Sequence, residues 1–204
     1  MQRILILLLA ALCVASCGRR RSAPSQDTAA SDTRPRVFLP AIAPSGLSPE
    51  EQRDYLREHY WDRFDFADTL FTVRADTLQM VEAYARYIAL ISDRPTDGAP
   101  IDSLMRRASS SRRMLDYFSM LAERVLHDPN SPLRNDEFYI PVLQAQLRAP
   151  WYDEYERIAP QYDLEMAMQN RLGHPANDFR YTLASGASGT LYGLKAEYVL
   201  LFIN

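Results

Sequence analysis

Cysteine is nearly absent from this chain. The 204 residues contain two, Cys13 and Cys17. Everything after residue 17 therefore has no disulfide, no thiol nucleophile and no cysteine metal site. Histidine is scarce as well: His59, His127 and His174 are the three present, and none forms a His-x-x-x-His pair. The seven glycines build no phosphate-binding loop, and no nucleophile elbow occurs. Positive charge is not in excess. Lys and Arg total 23 against 26 Asp and Glu, a net charge of −3, which argues against a nucleic-acid surface.

What is present begins at the N-terminus. Arg3 supplies a short positive region, and Ile4 to Leu12 is an unbroken apolar stretch. It is too short to span a bilayer and fits the core of an export signal. Val14-Ala15-Ser16-Cys17 follows. This run resembles a bacterial lipobox, which implies cleavage after Ser16 and acylation of Cys17. The alternative is an ordinary secretory signal with an incidental cysteine. Cys13 then leaves with residues 1–16, and Cys17 becomes the lipid-bearing first residue of the mature chain. That anchor implies a cell-envelope location, expected at the outer membrane facing the periplasm.

Residues 17–36 carry Arg, Ser, Ala, Thr, Pro and Asp and almost nothing to bury. This composition reads as a disordered tether, with a coil reach of roughly 25 Å. Arg19, Arg20 and Arg21 beside the anchor suit either anionic head groups or plain solvation.

From residue 37 to about 172 the pattern is helical. Ser48-Pro49-Glu50-Glu51 predicts a capped helix start, with the helix running to about Arg63 and Leu56, Tyr60 and Phe64 facing inward. A second helix is expected from about Ala75 to Ile91, packing through Leu78, Val81, Ala85 and Ile88. A third carries Ile101, Leu104, Ala108, Leu115, Phe118, Leu121 and Val125, and Ser109 to Ser111 threaten to split it. Asn135 caps a fourth helix to about Ala149, with Pro141 inside. The fifth has Trp151, Tyr155, Ile158, Tyr162 and Met166 at helical spacing, with a kink or break expected at Pro160. About five helices make a mainly α domain.

Near residue 173 the period changes. Phe179 to Leu183 alternates as a half-buried strand, residues 184–189 form a turn, and Thr190-Leu191-Tyr192 is the expected partner strand. Tyr198 to Ile203 is a β-branched and aromatic run that reads as a buried strand.

These segments carry a resemblance. His59-Tyr60-Trp61-Asp62-Arg63-Phe64-Asp65-Phe66-Ala67-Asp68, Asp128-Pro129-Asn130-Ser131-Pro132 and Glu137-Phe138-Tyr139-Ile140-Pro141-Val142-Leu143 are similar to a helical domain of unknown function. That domain precedes TlpA-like thioredoxin domains in Gram-negative lipoproteins. Phe179 to Gly186 and Leu191 to Phe202 resemble the opening of the thioredoxin-like part. The resemblance implies a remnant of that fold at residues 173–204, stopping before the C-x-x-C. No redox residue carries over, because no position matches one. Thiol–disulfide exchange needs a thiolate, so this chain is not expected to be an enzyme, and no cofactor is expected.

Other candidate chemistry is thin. His59 sits one helical turn from Asp62 and reads as a packed or surface histidine; His127 and His174 flank turns. Asp62, Asp65 and Asp68 lack calcium-loop spacing and read as capping groups. Arg106, Arg107, Arg112 and Arg113 read as a solvated helix face. Trp151, Tyr152, Tyr155 and Tyr162 form an aromatic stripe that reads as core, with a ligand groove as the alternative.

Three functions fit. The first is a membrane-tethered, non-catalytic helical interaction domain with a protein partner in the envelope. The second is the N-terminal piece of a thiol–disulfide oxidoreductase shortened by a frameshift, early stop or gene-model error. The third is a small-molecule or glycan-binding lipoprotein.

Overall fold

The computed structural model describes residues 35–93, 97–169, 171 and 173–200. Ser16, Cys17 and most of the expected tether lie outside them, as do residues 201–204. Among the described residues there are seven α-helices and one two-stranded antiparallel sheet.

The first helix, α1 (Pro49–His59), starts as its sequence predicts. Ser48 and Glu51 form a reciprocal capping box, with Pro49 in the first turn. It ends at His59 and not at Arg63. Tight turns follow, with Asp62 N–H donating to the His59 carbonyl and Phe64 N–H to the Trp61 carbonyl, both at 3.0 Å. These turns bring the neighbours Tyr60 and Trp61, with Phe64 and Phe66, into one buried cluster, which one stripe of a continuous helix does not do. The Asp65 carboxylate accepts from Ala67 N–H and Asp68 from Leu70 N–H, so both acids shape this loop.

A single-turn helix, α2 (Phe71–Arg74), leads into α3 (Thr77–Ile91), capped by Asp76. The buried face of α3 is Met80, Ala83, Tyr84, Tyr87, Ile88 and Ile91, while Leu78 is 69% exposed. The expected face is thus rotated. Spacings of three and four fit both stripes, and the one carrying two tyrosines is the one buried. Residues 36–38 pin the entering chain here: Arg36 forms a parallel bridge with Ala75, and the Gln79 amide bonds both backbone groups of Phe38.

The expected third helix is split into α4 (Ala99–Ala108) and α5 (Arg112–Ala122). Ser109 returns its hydroxyl to the Met105 carbonyl at 2.8 Å, and Ser111 caps α5. Ile101, Leu104, Ala108, Leu115, Phe118, Leu121 and Val125 are all buried as the spacing predicts. The end of α5 widens into one π-turn, Glu123–His127. Asn135 caps α6 (Asp136–Arg148), and Pro141 lies buried inside it. Gly98 fits only without a side chain, since a Cβ there would stand 2.4 Å from Pro141 Cγ and 3.0 Å from the Glu137 carbonyl. That carbonyl is the one whose helical bond Pro141 removes.

The last helix, α7 (Glu154–Ala167), opens on an Asp153–Glu156 capping box and runs through Pro160 as one element. It pairs most extensively with α6, and that packing holds it together as one helix where a kink or break was expected. Arg171 then grips Glu137 at the start of α6 with two hydrogen bonds, one of 2.8 Å.

Beyond residue 173, β1 (Arg180–Thr182) pairs with β2 (Ser188–Thr190), Tyr181 opposite Gly189. The Tyr181 ring covers Gly189 so closely that a Cβ would meet its hydroxyl at 2.7 Å. The partner strand thus precedes the expected Thr190–Tyr192, because Thr190 caps a 3₁₀ turn at Leu191–Gly193. Tyr198, Val199 and Leu200 are exposed and form no strand, against the expected buried strand. Among the described residues no strand lies beside them to form a ladder. The rest of that run lies outside the described residues.

Candidate functional site

An aromatic knot forms the centre of the helical domain. Trp61 stacks on Phe38 at 4.8 Å between ring centroids and meets Phe118 edge-on at 5.4 Å. Phe64 touches Phe66, Phe71 and Phe118 edge-on, the preferred geometry for such pairs. The Tyr60 hydroxyl donates to the Ala83 carbonyl. Burial raises the Tyr60, Tyr87 and Tyr117 hydroxyls to about 12. The Tyr84 and Tyr117 oxygens and Trp61 Nε1 are buried without a hydrogen-bond partner among the described residues.

The candidate polar groups are used to join helices. His59 Nδ1 lies 2.7 Å from Asp62, which also takes a bond from Arg107 at 3.2 Å. The His59 bond is the largest cause holding the Asp62 carboxyl below its ordinary range. Asp65 and Asp68 point to other partners, Asp68 pairing with Arg36. Among the described residues no three His, Cys, Asp or Glu side chains gather to hold a metal ion. The basic patch is more engaged than a solvated face. Arg107 bonds the Trp61 carbonyl and lies 4.5 Å over the Phe66 ring. Arg112 pairs with Glu156 and bonds the Trp151 carbonyl, tying α5 to the start of α7. Arg106 pairs with Asp102, and Arg113 is exposed. These crossings depend on tertiary neighbours that spacing alone does not reveal.

His174 is exposed. His127 is more constrained than a turn histidine. Its ring stacks on Tyr139 at 4.6 Å, and its Nδ1 is buried without a partner among the described residues. It lines a cleft of about 480 Å³ with Met120, Glu123, Arg124, Asp128 and Pro129. A π-turn is rare in helices and recurs at functional places, yet no motif in the sequence marks it. A second cleft, about 300 Å³, lies between Trp61, Tyr87, Leu104 and the cations Arg57 and Arg107. Arg57 already bonds Asp54, Asp93 and the Leu90 carbonyl.

The aromatic stripe of α7 is not core. Tyr155 is 83% exposed, Ile158 63% and Tyr162 60%, and Trp151 and Met166 are also exposed. The helix is held by its other side, where Pro160 and Ala167 are buried and Leu164 packs on the core. The spacing identified a true face but not what covers it. Tyr152 alone of the aromatic set turns inward, its hydroxyl bonded to Asp116. Burial first, then the Asp116 bond, raises the pKa of that hydroxyl.

The described residues thus form a mainly helical domain followed by a short antiparallel hairpin. The chain belongs to the family described as Domain of unknown function (DUF5106), whose model matches residues 16–170. It is also similar to a solved structure, a thioredoxin-like protein from Bacteroides caccae ATCC 43185, at 39% identity and a TM-score of 0.67. The match covers 79% of this chain and 58% of that one, so this chain spans 58% of that relative's length. No curated protein matches. No helix among the described residues is long and apolar enough to cross a membrane.

Proposed function

We propose that this chain is a membrane-tethered helical accessory domain of the cell envelope, without chemistry of its own, that serves a thioredoxin-like module. The observation that carries this reading is the 39% identity to a protein described as thioredoxin-like, over 79% of a chain whose described residues are mainly helical. Residues 35–200 also contain no cysteine, so thiol chemistry has to come from the module served. The tether is Cys17, acylated after cleavage behind Ser16.

The test is expression with the native N-terminus in a Gram-negative host fed an alkynyl palmitate. The chain is expected to carry the label, to sediment with outer membrane and to cross-link to a protein of thioredoxin fold identified by mass spectrometry. Cys17→Ser is expected to lose the label and the sedimentation. Unlabelled soluble protein with only background cross-links would refute the proposal.

A further inference from the structure

We infer that the exposed stripe of α7 is the docking face for the thioredoxin-like module, an inference that rests on the accessory reading above. Trp151, Tyr155, Ile158, Tyr162 and Met166 stand at successive spacings of four, three, four and four. At about 100° per residue the four within the helix, Tyr155, Ile158, Tyr162 and Met166, fall within one stripe roughly 80° wide, opposite the buried Pro160 and Ala167, and Trp151 lies in the turn just before it. Scattered exposed apolar residues need no explanation, but a continuous row of three aromatics, an isoleucine and a methionine marks a contact surface. Aromatics and methionine are also the residue types enriched at interface centres.

Charge selects the occupant. By the same helical geometry, Glu154 and Glu165 flank one side of the stripe and Asp163 the other, while Glu156 on that second side is already paired with Arg112. A second copy docking on the same face would bring acidic rims against acidic rims, since a two-fold contact is made of the same patch twice. An anionic bilayer is a poor match for the same reason: helices that lie on membranes carry Lys and Arg along their polar face. The stripe fits a protein surface with an apolar centre and a basic rim.

The comparison and the chain path point to which protein. The relative described as thioredoxin-like extends well beyond the match, of which 58% of its length is part. In this chain α7 ends at Ala167 and β1 begins at Arg180. Twelve intervening residues reach at most about 40 Å. A module continuing from the hairpin is thereby held near α7 at an effective concentration on the order of millimolar, so a weak interface suffices. The hairpin segment shares the apolar character: Phe179, Leu183 and Leu194 are exposed, beside the exposed cations Arg180 and Lys195 and the exposed anions Asp178 and Glu197.

The test titrates the thioredoxin-like part of the Bacteroides caccae protein, made separately, into the isotope-labelled full chain. Saturable binding at millimolar affinity or better is expected, with the amide shifts concentrated on α7. The double variant Tyr155→Ser, Tyr162→Ser is expected to weaken binding at least tenfold and leave the circular dichroism melt unchanged, because both rings are exposed. Binding that the variant does not weaken would overturn the docking face and leave the accessory role standing. No saturable binding at all would overturn both. Concentration-dependent dimers that the same variant abolishes would make the occupant a second copy and overturn the inference.

Discussion

Around Trp61, rings from residues 38 to 118 meet at centroid distances of 4.8 to 6.3 Å, and Phe118 is fully buried. Along α7, Tyr155 and Tyr162 face solvent at equally regular spacing, with Trp151 just before the helix. Both groups belong to one helical domain and both read in sequence as core. The first is drawn from four separate stretches of chain, so each ring is covered by another element. The second lies on a single helix whose opposite side is already docked on α6. A helix needs only one apolar face to join a bundle; the second face of α7 is surplus to folding. That surplus motivates the docking inference.

Removing a ring should separate the two groups most clearly. Phe118→Ala is expected to cost about 3–5 kcal/mol, the usual loss for a buried aromatic, measured by chemical denaturation. Loss below about 1 kcal/mol would show the knot to be loosely packed.

Alkali should unfold the knot as well. The folded hydroxyls of Tyr60, Tyr87 and Tyr117 stay protonated up to about 12. In the unfolded chain a tyrosine ionises near 10. The unfolded state therefore binds fewer protons between these values. The stability these groups contribute is full below about pH 10 and falls as pH rises towards 12. Tyrosinate absorbance from the knot is expected to appear together with loss of the helical signal. Its appearance with the helices intact would mean these hydroxyls reach water.

Gly98→Ala tests the fit of α4 against α6. The new methyl meets Pro141 and a backbone carbonyl, so about 1–3 kcal/mol of overpacking cost is expected, read from the melting temperature. An unchanged melt would show that the junction yields. Asp153→Ala, which removes the α7 cap, is expected to cost about 1 kcal/mol. At the small end, Ile158→Ser should change stability by less than about 0.5 kcal/mol. A cost of 2 kcal/mol or more would return the stripe to the core and erase the contrast.

Local signals in the sequence were the most legible. Ser48 and Asn135 cap helices, and the serines at 109–111 do split the third stretch, because caps and breaks act within a turn of chain. The seven apolar positions of α4, α5 and the π-turn were legible too, since a single stripe there has a single solution. The face of α3 was not: two interleaved stripes satisfy the same spacing, and only its neighbours choose between Leu78 and Tyr84. The turns after His59 escaped notice because apolar residues continue at helical spacing into a loop. Of the kink or break that Pro160 predicts, the break does not occur, because packing on α6 overrides its missing hydrogen bond. At the candidate site the composition of the stripe was legible and its exposure was not, because exposure depends on how α6 and α7 meet. The constrained setting of His127 was hidden for a similar reason, as Tyr139 and the π-turn reach it only in the fold.

Hydroxyl-radical footprinting of the full chain, alone and with the part of the thioredoxin-like Bacteroides caccae protein that lies beyond the match, tests the contrast directly. Alone, Tyr155 and Tyr162 are predicted to oxidise readily while Trp61 and Phe118 stay protected, and on addition of the partner the α7 pair is predicted to become protected. Tyr155 and Tyr162 already shielded in the isolated chain, or equally reactive with and without the partner at saturation, would contradict it.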